Sequence, residues 1–440
     1  MKTSAFCLIF CCLAGLAYGQ ESQSTAEFWT MEQCVQYAFE HNISIKQSSN
    51  NVQQRSVDLN TARNSIWPSL EAGANQGFSF GRGLREDNTY VSRSTGNTSF
   101  NIGGNLDLFT GLRTKHNITL GKLNLEAATA DYEQAKDDIR IAVMQAYMQI
   151  LYNQEISEIA QIQISIDSQQ VERLNALENA GKASSAEVAA QKSSLAQSQL
   201  TYTQAVNQLK LSILDLTQLL ELDHPENFGV VALDVSHFEL VALPDPEQVY
   251  AEAVGIRPGI RAEELRTDYA KTNISLAKSS YIPTLSMNGG ISTNYYALLG
   301  MSNTGFGEQL KNNFSPYLGF SLYVPIFDKL ATRNNVRNAK LQYSNQQLQL
   351  DNAKKKLYKE IQQAYYGAVT ARDKYKSSKA AAESASEAFE LESGRYEGGK
   401  VTLTEFNEAK NNYMKAASDL LQAQYEFIYQ TQLLEFYRGR

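Results

Sequence analysis

Between residues 69 and 109 the chain alternates apolar and polar positions. Leu70, Ala72, Ala74, Phe78 and Phe80 share one face against Ser69, Glu71, Asn75 and Ser79, and then Phe100, Ile102, Leu106 and Leu108 oppose Asn101, Gly103, Asn105 and Asp107. The pattern returns as Leu285, Met287 and Ile291 against Thr284, Ser286, Asn288 and Ser292. A fourth run sets Leu318, Phe320, Leu322, Val324 and Ile326 against Tyr317, Gly319, Ser321 and Tyr323. A period of two predicts four strands, at about 69–80, 98–109, 284–296 and 315–326. About ten to twelve residues is what a tilted strand needs to cross roughly 25–30 Å of hydrocarbon, although a soluble one-sided sheet has the same pattern. The connections favour the membrane. Residues 81–97 and 297–314 are long loops of Gly, Asn, Ser and Arg, whereas the other strand ends run straight into helices, giving an outside and an inside.

The rest of the chain reads as helix. Residues 31–66 and 245–281 have helical composition, and each stops at a Trp-Pro or Ile-Pro step, because proline disfavours helix in the residue before it. Residues 112–179 and 330–397 contain no Pro and hardly a Gly, and ~68 residues at ~1.5 Å each make rods of ~100 Å. Shorter helices return at 184–222 and 402–436. Phe406, Ala409, Tyr413, Ala416, Leu420, Ala423 and Phe427 follow three-four spacing, as do Val188, Leu195, Tyr202, Ala205 and Leu209, so coiled-coil packing with small residues between large ones is expected.

These parts occur twice in the same order. Trp67-Pro68-Ser69-Leu70 returns as Ile282-Pro283-Thr284-Leu285, Gln145-Ala146-Tyr147 as Gln363-Ala364-Tyr365, and Gly181-Lys182 with Glu187 as Gly399-Lys400 with Glu405. A period of roughly 215 residues is far too long for a solenoid unit and reads as a duplicated half-subunit. The organisation is then a first repeat at 20–222, a connecting belt at 223–244 in which Val230, Val231 and Leu233 are apolar, and a second repeat at 245–440.

Composition narrows the function. The 440 residues include only 8 Pro and 26 Gly, consistent with long uninterrupted elements. Residues 1–19 read as an export signal, with Lys2, an apolar stretch from Ala5 to Tyr18, and Ala17-Tyr18-Gly19 as the cleavage site. Cys7, Cys11 and Cys12 fall inside it, Cys11 and Cys12 following Phe10 and Cys11 rather than the small residue that precedes a lipidated cysteine, which leaves Cys34 alone in the mature chain and no intrachain disulfide. No later run of eighteen apolar residues could span a bilayer as a helix. A net charge of -7 with interspersed signs argues against nucleic acid. His41, His116, His224 and His237 form no metal-ligand spacing, and Gly81-Arg82-Gly83 precedes no helix as a phosphate cradle would. Neither an enzyme nor a cofactor is expected.

Four membrane strands cannot close a barrel, and open edges in lipid cost several kcal/mol per unpaired group, so the subunit must oligomerise. Two copies give eight strands, which fill their own interior, and three give twelve, which leave an aqueous path. A soluble periplasmic coiled-coil scaffold or adaptor would explain the helices but has no need of the strands.

The order of parts resembles the TolC-like outer-membrane efflux proteins over almost the whole mature chain, with Phe109 or Phe327 beside Arg113 or Arg333 at the strand-to-helix step. Its most specific segment is Arg395-Tyr396-Glu397-Gly398-Gly399-Lys400-Val401-Thr402-Leu403-Thr404-Glu405, similar to the family's second periplasmic tip, and Asn179 to Glu187 looks like the first. The resemblance implies a mainly α chain whose four strands enter a shared 12-stranded trimeric barrel, set on a periplasmic α-helical tunnel. It implies a homotrimer in the outer membrane that serves a tripartite efflux or type I secretion system as a passive duct, docked by a periplasmic adaptor and coupled to an inner-membrane pump. Gly181, Lys182, Gly398, Gly399 and Lys400 are then the adaptor-docking tips, and Glu405 and Glu408, at i and i+3, the pore constriction. Val401 stands where the family's gate-locking arginine is expected, which puts a different closing network in view.

Overall fold

A computed structural model describes residues 27–84, 88–92, 94–223, 228–233 and 240–439. The export signal at 1–19 and its three cysteines, His224 and His237 lie outside the described residues. In chain order the elements are β1 (Glu27–Trp29), α1 (Met31–His41), α2 (Ile43–Asn64), β2 (Ser69–Ser79), β3 (Arg82–Leu84), β4 (Tyr90–Ser92), β5 (Thr95–Phe109), α3 (Arg113–Asn179) and α4 (Ser185–Leu220). They continue as β6 (Phe228–Val230), α5 (Pro246–Ile256), α6 (Pro258–Ser279), β7 (Thr284–Leu298), α7 (Phe306–Asn312), β8 (Ser315–Tyr323), α8 (Ala331–Glu397) and α9 (Leu403–Tyr437).

The two stretches expected as single helices, 31–66 and 245–281, are each broken in two, by different chemistry at corresponding points. Asn42 is buried with extended backbone; its Oδ1 accepts from the amides of Ser44 and Ile45, and its Nδ2 donates to the Leu219 carbonyl at 2.9 Å. An asparagine that satisfies the amides of a new helix start competes with helix continuation. In the second half Arg257 takes the extended backbone that Pro258 imposes on its predecessor, and Pro258 opens α6 at a position where its missing N–H costs nothing.

β2, β5, β7 and β8 form one antiparallel sheet in the order β2-β5-β7-β8. Its register aligns Ala72, Ile102, Ile291 and Pro316 across the strands, and Leu70, Gly104, Gly289 and Leu318 in another row. Alternation therefore collects Leu70, Phe100, Ile102, Ile291, Phe320 and Leu322 on one exposed face and Glu71, Asn101, Asn105, Asn288 and Ser321 on the other. The last strand stops at Tyr323 rather than at 326, because Pro325 has no amide to give a ladder and constrains Val324 before it. Among the described residues both outer strands, β2 and β8, have one edge unpaired.

α3 and α8 are each 67 residues, ~100 Å at ~1.5 Å per residue. α2 and then α4 lie along α3, while α6 and then α9 lie along α8, with α3 also meeting α6 and α9. Each long helix starts from a left-handed leucine, Leu112 (φ 69) and Leu330 (φ 66), preceded by Gly111 (φ 63) and Lys329 (φ 56). Buried side chains gather in three places. One core joins Cys34, Val143, Tyr147, Leu151, Leu216 and Phe228, a second joins Val249, Ile260, Ile361 and Leu434, and a third, at the far end of the hairpins, joins Leu174, Val188, Leu403 and Phe406. At the first core β1 pairs with β6 in parallel, and Tyr147 donates to the Val231 carbonyl at 2.7 Å, which pins the connecting segment to α3. Among the described residues no helix is long and apolar enough to cross a membrane.

Candidate functional site at the helical tips

The two hairpins end in turns built alike. α3 runs into Gly181, whose φ of +66 suits a residue without a Cβ, and the Lys182 amide reaches back to the Leu177 carbonyl at 2.8 Å. α8 runs into Gly399 (φ +67), with the Lys400 amide on the Arg395 carbonyl at 2.9 Å. Both are helix C-caps that close orphan carbonyls through a left-handed glycine. The returning helices begin with reciprocal caps. Ser184 accepts from the Glu187 amide while Glu187 accepts from the Ser184 amide, and Thr402 and Glu405 do the same at 3.3 and 2.7 Å. Gly181, Lys182, Gly398, Gly399 and Lys400 are all exposed.

Glu405 is thus a capping residue as well as an acidic one. Hydrogen bonds from the Thr402 amide and hydroxyl hold its carboxyl below the usual carboxylate range, and those of Ser184 do the same for Glu187. Glu408 is exposed one turn on, and both carboxylates border a groove of about 500 Å³ between α8 and α9 that also includes Glu392 and Asn412. Glu392, which the sequence reading missed, is paired with Arg395 at 2.6 Å.

Two connections between the hairpins also escaped the sequence reading. Arg173 on α3 donates through Nη2 to the carbonyls of Glu397 at 2.9 Å and Tyr396 at 3.4 Å, closing the end of α8, and lies 5.1 Å from the Tyr396 ring centroid. That ring stacks on Phe406, and burial pushes its hydroxyl up from the ordinary tyrosine value. Farther up the hairpins Lys410 on α9 and Asp167 on α3 form an ion pair with no solvent exposure on either side chain. Gln191 donates to the same carboxylate at 2.8 Å, Ser198 donates to its other oxygen, and Asn407 donates to Gln191 at 3.1 Å. A signal for this site was present. Asn153, Ala160, Asp167 and Leu174 are buried at seven-residue spacing on α3, as are Gln191, Ser198, Ala205 and Ser212 on α4, so a polar residue at a seam position marks a buried one.

A family model described as outer membrane efflux protein matches residues 34–221 and again residues 249–439. The chain is 20% identical over 396 residues to the outer membrane efflux protein BepC of Brucella suis, covering 89% of this chain and 81% of that one. It is 22% identical over 428 residues to the outer membrane protein TolC of Escherichia coli, covering 94% and 83%. The fold is similar to that of the channel CusC, with a TM-score of 0.79 at 16% identity over 93% of this chain and 91% of that one. With one family matched across both halves, the chain belongs to the outer membrane efflux proteins and is a subunit of an outer-membrane efflux channel.

Proposed function

We propose that three copies of the chain close one twelve-stranded barrel, with the unpaired edge of β8 in each copy meeting β2 of the next, and that the helical hairpins form a hollow periplasmic rod beneath it. The observation that carries this reading is the sheet itself: it is four strands wide, has an exposed apolar face, and ends in two open edges that lipid would penalise. Twelve strands leave an aqueous path where eight fill themselves. The matching order of parts in the two halves reflects duplication of a half-subunit, with residues 223–244 as the belt that joins them.

In this assembly the channel is a passive duct for small molecules or proteins, and its energy comes from an inner-membrane pump reached through a periplasmic adaptor. Gly181, Lys182, Gly398, Gly399 and Lys400 present exposed backbone and two cations to that adaptor. Glu405 and Glu408, repeated around the axis, line the narrow end with carboxylates. The Thr402 cap holds Glu405 ionised, which favours cations there. Arg173 ties the end of α8 to α3, and with Val401 in place of an arginine the closing network of this tip differs from the family's.

Native mass spectrometry of the particle extracted from envelopes tests the assembly. Three subunits released only by detergent are expected, and a monomer or dimer released without detergent overturns the duct. Reversing both tip charges, Lys182→Glu with Lys400→Glu, is expected to abolish adaptor co-purification while leaving the subunit count at three.

A further inference from the structure

β7 outruns its partner. The ladder to β8 ends at Ser292 opposite Ser315, while β7 continues to Leu298 against β5. The free edge of that extension is covered by α7 and the residue after it. The Gln309 side chain bonds both the amide and the carbonyl of Tyr296 at 3.0 Å, and Asn313 Nδ2 donates to the Asn294 carbonyl at 2.7 Å. The segment leans towards the apolar face of the sheet: the Thr293 hydroxyl donates to the Leu310 carbonyl at 2.6 Å, and the Tyr295 and Phe306 rings meet edge to face at 5.0 Å. Phe314 follows, one residue before β8 and 55% exposed.

Between Phe314 and the strands lies a cleft of about 380 Å³, bordered by Ala72, Ala74, Phe100, Ile102 and Ile291. Two alanines leave the room, and the large side chains flank it. Asn101 and Ser292 alternate to the other face. The polar side chain on the cleft's own face, Thr293, already gives its hydroxyl to Leu310. The cleft thus has no free donor to recognise a sugar, peptide or anion, and its chemistry is that of an alkyl chain.

Its depth says whose chain. Thr284 to Thr293 covers about 30 Å along β7 at ~3.4 Å per residue, or roughly 22 Å of height at a tilt of ~40–45°, against an apolar band ~25 Å tall. The cleft is therefore at the outer edge of the hydrocarbon, where water-soluble partners do not reach. α7 stands at headgroup level, with Glu308 and Lys311 exposed. We propose that this cleft holds one acyl chain of an outer-leaflet lipid, fixing that lipid to each subunit beneath α7. The proposal rests on the reading that the apolar face of the sheet meets the bilayer.

The test uses the full-length protein with Trp67→Phe, carrying either Phe314→Trp at the cleft or Phe320→Trp on the same face of β8. Each is reconstituted in phosphatidylcholine vesicles containing brominated-acyl phosphatidylcholine and then diluted into detergent with unbrominated lipid. Both tryptophans are expected to be quenched in vesicles. After dilution Phe320→Trp recovers at once, whereas Phe314→Trp retains more than half of its quenching. Adding Ala74→Leu, which fills the cleft, is expected to remove that retention. Equal recovery at both positions, or retention that survives Ala74→Leu, overturns the lipid site and leaves the barrel standing. Absence of quenching at Phe320→Trp in vesicles overturns the membrane-facing reading and the lipid site together.

Discussion

Replacing Lys410 by methionine removes one charge from a pair that is wholly out of water. The Asp167 carboxylate then keeps only Gln191 and the hydroxyls of Ser198 and, at 3.5 Å, Ser194. Breaking a buried pair from one side costs about 3–5 kcal/mol, because the remaining charge is buried without compensation. Arg266, 39% exposed and bridging Asp131 at 2.6 Å and Glu263 at 2.5 Å, is the natural control, since pairs that solvent reaches are worth about 0–1 kcal/mol each. The damage belongs to the far part of the hairpins, so the assay is amide hydrogen exchange resolved by segment on the detergent-solubilised full-length protein. At about 1.4 kcal/mol per tenfold, Lys410→Met should speed exchange in residues 160–200 and 400–415 by a hundredfold or more. Arg266→Met should change its own segment by less than about tenfold. Asp167→Leu combined with Lys410→Met should restore most of the protection, as apolar pairs of similar volume replace buried ion pairs at little cost. The reasoning fails if the single variant behaves like the control, or if the double variant is worse than either single.

Other positions give sharper local tests. A Cβ at Gly111 would lie 2.9 Å from the Ser279 carbonyl oxygen in a left-handed backbone, so Gly111→Ala should cost more than the ~1–2 kcal/mol of the conformation alone; Lys329→Gly, at the equivalent turn, should gain up to about 1 kcal/mol, both read as shifts in thermal midpoint. Arg173→Ala should lose about 1.5–3 kcal/mol of charged hydrogen bonding at the end of α8, seen as faster proteolysis at residues 394–400, with Arg173→Lys recovering only part. Glu187 and Glu405 have lowered values in the folded tips, so the stability they add is full above the ordinary glutamate range and is lost as pH falls through the lowered value. Exchange at residues 180–187 and 398–405 should therefore rise as pH falls below the ordinary glutamate range, and Thr402→Ala should flatten that response at the second tip alone.

Alternation was enough to locate the four strands, because within each of them apolar and polar side chains change face at every residue and the register puts the apolar ones together. It overran at Val324 and Ile326, where apolar residues keep the pattern but Pro325 ends the ladder. The helix breaks at Asn42 and Arg257 were less legible. Composition on either side is equally helical, and the decision rests on one Asn that caps a new helix and one residue that precedes a proline. At the tips the glycines announced the turns. The double role of Glu405 was hidden in the Thr402-x-x-Glu405 spacing, which reads as a capping box only once the helix start is known.

The buried pair was the least legible feature, and it bears on how two similar hairpins find separate places. Gln191 and Ser198 stand in the repeat where the second half has Ala409 and Ala416, and Asp167 where it has Ala385. Lys192 and Lys410 also correspond, yet Lys192 is exposed and Lys410 is buried. A seam of small apolar residues at these positions would accept either hairpin in either register. A carboxylate on α3 met by a lysine from α9 disfavours slippage, since sliding one helix past the other separates two charges that are paired out of water. The expected signature of this role is specificity without stability: the apolar double variant at 167 and 410 should keep its protection against exchange. Disulfides engineered between α3 and α9 should then form in more than one register in that variant, and in a single register in the wild type.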